Sequence, residues 1–358
     1  MIDDIYQDIY SKVEKGDALR RDVALRILDL NDLDTFSLLH LAYLFRRKYY
    51  SNVVLLHVIN NVQNGHCGED CQYCAQSKLS AADIEEYPMK SDSEILGEAE
   101  AAYQAGAYRY CMVFSGRGSP NERIDRLVKI IRNIKQRWPI EVCVSPGTIT
   151  LDQARKLKDA GLDRLNHNLN TSKGYYSKIC TTHSYEERVR TLKVARSVGL
   201  SVCSGVILGM GEVPQDVVEM AMKLREVKAE SIPVNFLIPI PGTPIGTPKG
   251  LSPEYCLRVL CLFRLLNPEA EIRIAAGREM HLRSLEPIGL YVANSLFLQG
   301  YLNVKGESNA RTLQMIKDMG FRISSEMKLD DLLKEDDEQL FQMDFKDELE
   351  LRPFKNKE

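Results

Sequence analysis

Three cysteines, Cys67, Cys71 and Cys74, occupy one short loop at spacings of four and three residues. A cubane iron–sulfur cluster is usually held by four thiolates, so three thiolates in such a loop can hold three irons and leave the fourth iron open. An open iron can chelate the amino and carboxylate groups of S-adenosylmethionine, and one electron from the cluster can cleave its sulfonium to a carbon radical. The spacing therefore predicts radical chemistry that starts at this loop.

A zinc knuckle and a disulfide framework are the two alternative interpretations of the loop. Zinc sites usually need a fourth Cys or His nearby, and His66 is badly placed for tetrahedral closure because it directly precedes Cys67. The nine cysteines of the chain fit a reducing compartment and metal binding better than disulfides. The iron–sulfur interpretation is therefore favoured.

A second set of possible ligands lies within apolar segments that read as strands. Each of its members faces opposite to its large apolar neighbours on the pleat, and the set is Cys111, Cys143, Cys203 and Arg273. A buried free cysteine often serves only as a small hydrophobe, which is the alternative for each thiol taken singly. A buried Arg273 needs an anion to compensate it, and a cluster of thiolates and sulfides is one. The pattern predicts a second, deep metal site, and the same parity places Arg109 inside, where it is expected to pair with the same anion.

Amide side chains follow the fourth of these strands. Asn166, Asn168 and Asn170 stand at alternate positions, and Asn235 is a lone amide in another strongly apolar strand. Amides there can hydrogen-bond a ribose, a ureido ring or a carboxylate, although a polar strand cap or a backbone-satisfied amide would look the same. Cys180 lies on the loop after the fourth strand, which could face the same opening.

Alternating strand and helix patterns position these residues. Eight strand–helix units with crossovers long enough to return a helix over the outside predict an α/β fold, a parallel (β/α)8 TIM barrel. The predicted strands are 53–58, 108–114, 140–144, 163–168, 200–208, 233–238, 271–275 and 289–295. The predicted helices are 92–105, 122–137, 151–160, 185–198, 214–228, 253–266, 278–286 and 309–319.

The sequence divides into an N-terminal helical extension at 1–50, the barrel at 51–322 and a charged, acidic C-terminal tail at 323–358. The net charge of −3 provides no basic footprint for nucleic acid. No apolar run reaches the roughly 18 residues of a membrane span, and the acidic N-terminus lacks the pattern of a signal peptide. These features predict a cytoplasmic protein with no nucleic-acid or membrane partner.

From about residue 50 to 320 the chain resembles the biotin synthase family of the radical S-adenosylmethionine superfamily. The motifs that carry the resemblance are Gly65-His-Cys67-Gly-Glu-Asp-Cys71-Gln-Tyr-Cys74-Ala-Gln-Ser, Tyr110-Cys111-Met, Asn166-His-Asn168-Leu, Val202-Cys203-Ser-Gly-Val-Ile-Leu-Gly-Met-Gly-Glu212, Ile272-Arg273-Ile-Ala-Ala-Gly-Arg-Glu279 and Ala293-Asn-Ser-Leu-Phe297. The chain departs from the family at several positions, among them Asn170 in place of a usual aspartate and His183 in place of a frequent arginine.

The resemblance implies a radical enzyme that inserts sulfur into dethiobiotin to form biotin. It implies that the loop thiols hold a [4Fe–4S] cluster, and that the three strand thiols with Arg273 hold an auxiliary cluster, normally [2Fe–2S], which gives up a sulfide. Implied contacts with S-adenosylmethionine are Tyr73, Asn168, Asn170 and Arg188, and implied contacts with dethiobiotin are Asn168 and Asn235. It further implies a flavodoxin or ferredoxin type electron donor and a homodimer.

Two alternative functions remain open on the sequence. One is another member of the superfamily, such as the hydrogenase maturase that shares this barrel type. The other is an electron-transfer iron–sulfur protein, which would bind clusters without cleaving S-adenosylmethionine. The strand thiols discriminate among superfamily members, because the loss of sulfide-donor ligands should not matter to a maturase.

Overall fold

The computed structural model describes residues 4–247 and 250–335. Three helices precede the barrel: α1 Asp4–Glu14, α2 Arg21–Leu28 and α3 Thr35–Tyr50. The third begins where the Asp34 carboxylate accepts the Ser37 N–H at 2.7 Å, an N-cap that satisfies one of the free amides of the first turn. Apolar residues at helical spacing along all three are buried, so these helices pack on the barrel rather than project from it.

A closed parallel barrel forms the body of the protein. Its strands run in chain order around the barrel, and the first strand pairs with the last to close it. The eight positions of the barrel are filled by β1 Val53–Gln63, β2 Arg109–Phe114, β3 Glu141–Ser145, β4 Arg164–Asn166, β5 Ser201–Cys203 with β6 Val206–Leu208, β7 Ser231–Phe236, β8 Glu271–Ile274 and β9 Ser295–Leu298. The predicted TIM barrel is therefore confirmed.

Helices cover the outside of the barrel. Three of the early ones begin at capping boxes, in which Ser91, Thr150 and Ser184 each accept a backbone N–H three residues on. The helices are α4 Asp92–Gln104, α5 Asn121–Arg137, α6 Leu151–Asp159, α7 Tyr176–Ile179, α8 Tyr185–Ser197, α9 Pro214–Glu226, α10 Pro253–Leu266, α11 Arg278–Leu282, α12 Glu286–Gly289, α13 Asn309–Asp318 and α14 Leu329–Glu335. A 3-10 turn, Arg283–Leu285, joins α11 to α12.

The last barrel strand lies later in the chain than the sequence predicts. Of the predicted strand 289–295, Gly289 ends helix α12 and the strand begins only at Ser295. A short apolar run does not distinguish strand from helix by periodicity, which explains the shift. The fifth predicted strand is also divided, into Ser201–Cys203 and Val206–Leu208. Between the two parts Gly205 approaches Pro233 so closely that a Cβ would lie 2.3 Å from its carbonyl oxygen.

Three short strands, β10 Gly300–Tyr301, β11 Val304–Lys305 and β12 Arg322–Ile323, follow the barrel. β10 and β11 form a small hairpin, whereas β12 pairs in parallel with the start of β1. Of the predicted tail, 336–358 lies outside the described residues, and the predicted division into three regions stays a prediction. No helix in the described ranges combines the length and apolarity needed to cross a membrane.

Candidate functional site

A cavity of about 250 Å³ opens at the carboxyl ends of the barrel strands, the end that carries the active sites of such barrels. Residues from the cysteine loop, the lumen, the amide row (Asn166, Asn168 and Asn170) and the β10–β11 hairpin all contribute to its wall. Among the site residues predicted from the sequence, those that line it are Tyr73, Cys74, Cys111, Cys143, Asn168, Asn170, Arg188, Cys203, Asn235 and Arg273. The barrel therefore gathers residues from distant parts of the sequence around one space.

The strand thiols meet inside the barrel. Cys111 and Cys143 stand directly opposite each other in the β2–β3 register, and Cys203 completes a buried cluster with them. Hydrogen bonding to Cys143 and the nearby Arg273 guanidinium lower the pKa of Cys203 to about 5, and the same kinds of contact lower the pKa of Cys111. Hydrogen bonds with both neighbours raise the pKa of Cys143. Two of the three sulfurs are thus prepared to be thiolates, the form that binds iron.

Arg273 lies beside these thiols, with only 2% of its surface exposed. Its Nη2 donates to Ser231 Oγ at 2.9 Å and to Glu271 Oε1 at 2.5 Å, and its guanidinium stands 4.9 Å from the centre of the Phe297 ring. Its Nε has no hydrogen-bond partner among the described residues. Three thiols next to a buried guanidinium with a spare N–H fit an anionic iron–sulfur cluster.

A layer of charged residues lies below the thiols, two residues earlier on the same strands. The sequence analysis did not predict most of this layer. Glu271 Oε2 accepts hydrogen bonds from Arg109 and Arg164, each at 2.9 Å, and Oε1 lies 2.9 Å from His57 Nε2. Arg109 lies inside as predicted, but it pairs with Glu271 and with Glu141, the latter at 2.6 Å, rather than with the thiols. Burial alone would raise the pKa of the Glu271 carboxyl, but its cationic neighbours lower it well below the usual range.

The cysteine loop lies across the top of the barrel. Cys71 is buried and Cys67 and Cys74 are half-buried, and Cys74 faces the cavity. Burial is the main cause that raises the pKa of Cys74 to about 11. Backbone contacts hold the loop in place, for example Gln72 N–H to Ile179 O at 2.9 Å. Three cysteines in one loop, with Cys74 at the cavity, are a donor set that suits an iron–sulfur cluster with one open iron.

Cys71 also has neighbours that the sequence spacing does not reveal. Its sulfur lies 3.8 Å from Cys180 Sγ, and Cys180 in turn contacts Asp70 and His183. The sequence offered two weak signals here: Cys180 follows strand β4 on a loop, and His183 departs from the resembled family. Neither signal indicates that the two residues approach the cysteine loop.

The four residues implied to contact S-adenosylmethionine are neighbours in the structure. Asn170 Nδ2 donates to the Tyr73 hydroxyl, and Arg188 Nη1 donates to the Asn168 carbonyl at 2.7 Å. Asn170 adopts a φ of 68°, in the left-handed region that asparagine tolerates better than most residues. Burial is the main cause that raises the pKa of Tyr73, so its hydroxyl stays protonated as a donor.

Asn235 points into the same cavity, yet neighbouring backbone groups already bind its amide. Its Nδ2 donates to Val206 O at 2.9 Å and its Oδ1 accepts from Ala276 N–H at 3.2 Å. An amide can make four hydrogen bonds, so one donor and one acceptor position are left for a ligand. The Asn166 side chain points toward the lumenal thiols instead, and its Nδ2 lies 3.2 Å from Cys203 Sγ.

Comparison with known proteins agrees with this arrangement. A family model described as the Radical SAM superfamily matches residues 63–224, and one described as the Biotin and Thiamin Synthesis associated domain matches residues 233–322. Membership of the first implies a [4Fe–4S] cluster and S-adenosylmethionine for this chain. In solved structures, methylornithine synthase superposes with a TM-score of 0.75 at 19% identity, covering 90% of this chain and 98% of that one. An FeFe-hydrogenase maturase from Carboxydothermus hydrogenoformans gives a TM-score of 0.76 at 18% identity, covering 94% and 83%. These two likenesses show the fold.

Curated relatives are much more similar. The chain is 54% identical over 297 residues to the biotin synthase of Magnetococcus marinus, which covers 83% of this chain and 92% of that protein. It is 53% identical over 306 residues to the biotin synthase of Acaryochloris marina, covering 86% and 88%. With this level of identity over most of both proteins, the chain belongs to the biotin synthase family of the radical S-adenosylmethionine superfamily.

Proposed function

We propose that this chain inserts sulfur into dethiobiotin to form biotin, with the sulfur drawn from an auxiliary iron–sulfur cluster. The observation that carries the proposal is that Cys74 of the loop and all three lumenal thiols line one cavity, together with the amide row. An enzyme that generated the radical without supplying sulfur would need the loop thiols alone.

When bound, the loop cluster and S-adenosylmethionine supply a carbon radical that can remove hydrogen from an unactivated carbon. The protein's own contribution is positioning, because two C–H bonds of dethiobiotin must be replaced by two C–S bonds to one sulfur. Cys67, Cys71 and Cys74 are proposed to hold the [4Fe–4S] cluster. The remaining roles are assigned to Tyr73, Asn168, Asn170 and Arg188 on S-adenosylmethionine, and to Asn168 and Asn235 on dethiobiotin.

Cys111, Cys143, Cys203 and Arg273 are proposed to hold the sulfur source, normally a [2Fe–2S] cluster in this family. The thiolate character of Cys111 and Cys203 and the spare Arg273 N–H support this assignment. The apolar wall around the thiols, which includes Ile59 and Phe297, would limit access of water. A flavodoxin or ferredoxin type reductant and a homodimeric assembly are further proposals, which rest on the family alone.

The test separates radical formation from sulfur supply. The full chain is reconstituted anaerobically, and 5′-deoxyadenosine and biotin are measured in a single turnover beside Mössbauer counting of the clusters. Cys143→Ala is expected to form deoxyadenosine without biotin, whereas Cys256→Ala, which removes a buried thiol on α10, is the matched control and should form both. Arg273→Met should retain substantial activity, because a guanidinium is a weak ligand.

Two results would contradict the proposal. One is biotin formed by Cys143→Ala at the wild-type level, and the other is a wild-type protein that carries a single cluster. Either would favour a different radical enzyme built on the same barrel.

A further inference from the structure

Three metal-binding side chains converge behind the cysteine loop, outside the cavity wall. They belong to Cys71, Cys180 and His183, and all three residues are buried. Each residue provides one ligand atom, and these three atoms lie within 4.8 Å of one another. Cys180 and His183 come from the loop that leads into helix α8. The convergence therefore joins the cysteine loop to a separate segment of the barrel.

The two sulfurs of this group are spaced like one edge of a zinc tetrahedron. With Zn–S of about 2.3 Å and Zn–N of about 2.0–2.1 Å, tetrahedral angles place two sulfurs about 3.8 Å apart and a sulfur and a nitrogen about 3.6 Å apart. Cys71 Sγ and Cys180 Sγ are 3.8 Å apart. His183 places Nδ1 at 3.3 Å and Nε2 at 3.8 Å from the same Cys180 Sγ, so the ring must turn to direct one nitrogen at an ion shared with the sulfurs.

Both ring nitrogens of His183 already have partners, and these partners decide which nitrogen can bind a metal. Nδ1 contacts the Glu69 carboxylate, so a ring that binds metal through Nε2 keeps its other N–H on a carboxylate, as zinc-bound histidines usually do. Asp70 Oδ1, 3.2 Å from Cys180 Sγ, adds a second carboxylate to the pocket. Arg188, whose Nη2 lies 2.7 Å from Nε2, is the group that a bound ion displaces from the ring.

We propose that the iron-free chain binds one zinc ion through Cys71, Cys180 and His183, with the fourth position open to water. Two thiolates balance the charge of the ion, and soft sulfur with imidazole nitrogen is a ligand set that zinc prefers. Cys67 and Cys74 are not part of this site. Because Cys71 is also a thiol of the loop assigned to the [4Fe–4S] cluster, zinc and the cluster compete for it.

Cobalt(II) reports the site directly, since tetrahedral thiolate coordination produces intense absorption that water-bound cobalt lacks. The iron-free full chain is titrated anaerobically with Co²⁺, then with Zn²⁺, in a Cys143→Ala background that breaks up the lumenal thiols. Cys180→Ala and Cys180→Ser are expected to lose the thiolate-to-cobalt absorption, and His183→Ala should weaken it, whereas Cys67→Ala and Cys74→Ala keep it. Circular dichroism confirms that each variant is folded.

Two outcomes would overturn the proposal. The first is retention of the cobalt signal in both Cys180 variants with its loss in Cys67→Ala or Cys74→Ala, which would assign the metal to the loop thiols. The second is the absence of thiolate-bound cobalt in the parent, which would leave the contact as a thiol hydrogen bond. Neither measurement needs S-adenosylmethionine or dethiobiotin, so the outcome does not depend on the proposed function.

Competition at Cys71 is measured by the order of addition. Zinc added before iron and sulfide should lower the yield of [4Fe–4S] cluster in the wild-type chain, whereas Cys180→Ala should reconstitute to the same level with or without zinc. Equal inhibition of both proteins by zinc, or of neither, would contradict competition at this site.

Discussion

Replacement of Glu271 by glutamine should cost the protein a large part of its stability. The carboxylate is 2% exposed and accepts from Arg109 and Arg164 at 2.9 Å and from Arg273 at 2.5 Å. A glutamine at this position would keep the shape of the side chain but remove its charge. Three guanidinium groups at the base of the barrel would then lose the anion that they share.

The size of the effect follows from burial. At an effective dielectric constant of about 20, two opposite charges about 4 Å apart attract each other by roughly 4 kcal/mol. The cost of removing both charges from water offsets part of this attraction. Removal of one partner from a buried ion pair typically costs about 3–5 kcal/mol, because the other charge stays buried. Arg109 keeps Glu141 as a partner, which limits the loss. We therefore expect the free energy of unfolding to fall by about 3 kcal/mol or more.

The assay is urea denaturation of the iron-free full chain at pH 7, followed by circular dichroism. The matched control is Glu307→Gln, which makes the same substitution at an exposed pair with Arg311, 2.8 Å away. Exposed pairs contribute at most about 1 kcal/mol, so the control should change little. A loss for Glu271→Gln no larger than that of the control would refute the view that this layer depends on one shared carboxylate.

Three further predictions concern the site and its supports. Asn235→Ala should weaken dethiobiotin binding by about 1–3 kcal/mol, because a buried polar group of the ligand loses its partner. The measurement is the dissociation constant of dethiobiotin with S-adenosylmethionine present, and an unchanged constant would argue against this pocket. Cys71→Ala should abolish deoxyadenosine formation, since two thiolates hold a cubane cluster poorly. Deoxyadenosine formation at the wild-type rate in this variant would show that the loop does not hold the cluster that cleaves S-adenosylmethionine. Hydrogen bonding from the Ser184 N–H, with Arg117 adding to it, lowers the pKa of Glu187 to about 2. Its stabilisation is therefore present above about pH 4.3 and is lost as the pH falls toward about 2. Glu187→Gln should accordingly destabilise the chain more at pH 7 than at about pH 3 in urea titrations, and a difference that does not depend on pH would contradict the assignment.

Local patterns were sufficient to predict most of the barrel. Strands β2, β3 and β8 lie within one residue of their predicted bounds, because each is a short apolar run followed by a clear helix start. Strand parity also placed Cys111, Cys143 and Cys203 on the inner face, since alternation along a strand is a local property. The last strand was misplaced because its apolar run continues out of a short helix.

Pairing across the barrel could not be read from the chain in the same way. Arg109 was expected near the thiols, but Glu141 and Glu271 bind it, and the sequence does not show which lumenal groups share a layer. The approach of Cys180 to Cys71 likewise depends on how two loops, 109 residues apart, pack over the barrel mouth.

The sequence by itself determined the loop thiols, the alternation that turns polar groups inward and the order of strands and helices, because spacing and periodicity are local. Only the tertiary structure decided which of these groups are in contact. Closure of the barrel brings β9 against β1 and sets the register in which Cys111 meets Cys143. The positions of long-range neighbours depend on packing of the whole chain, and no short segment contains that information.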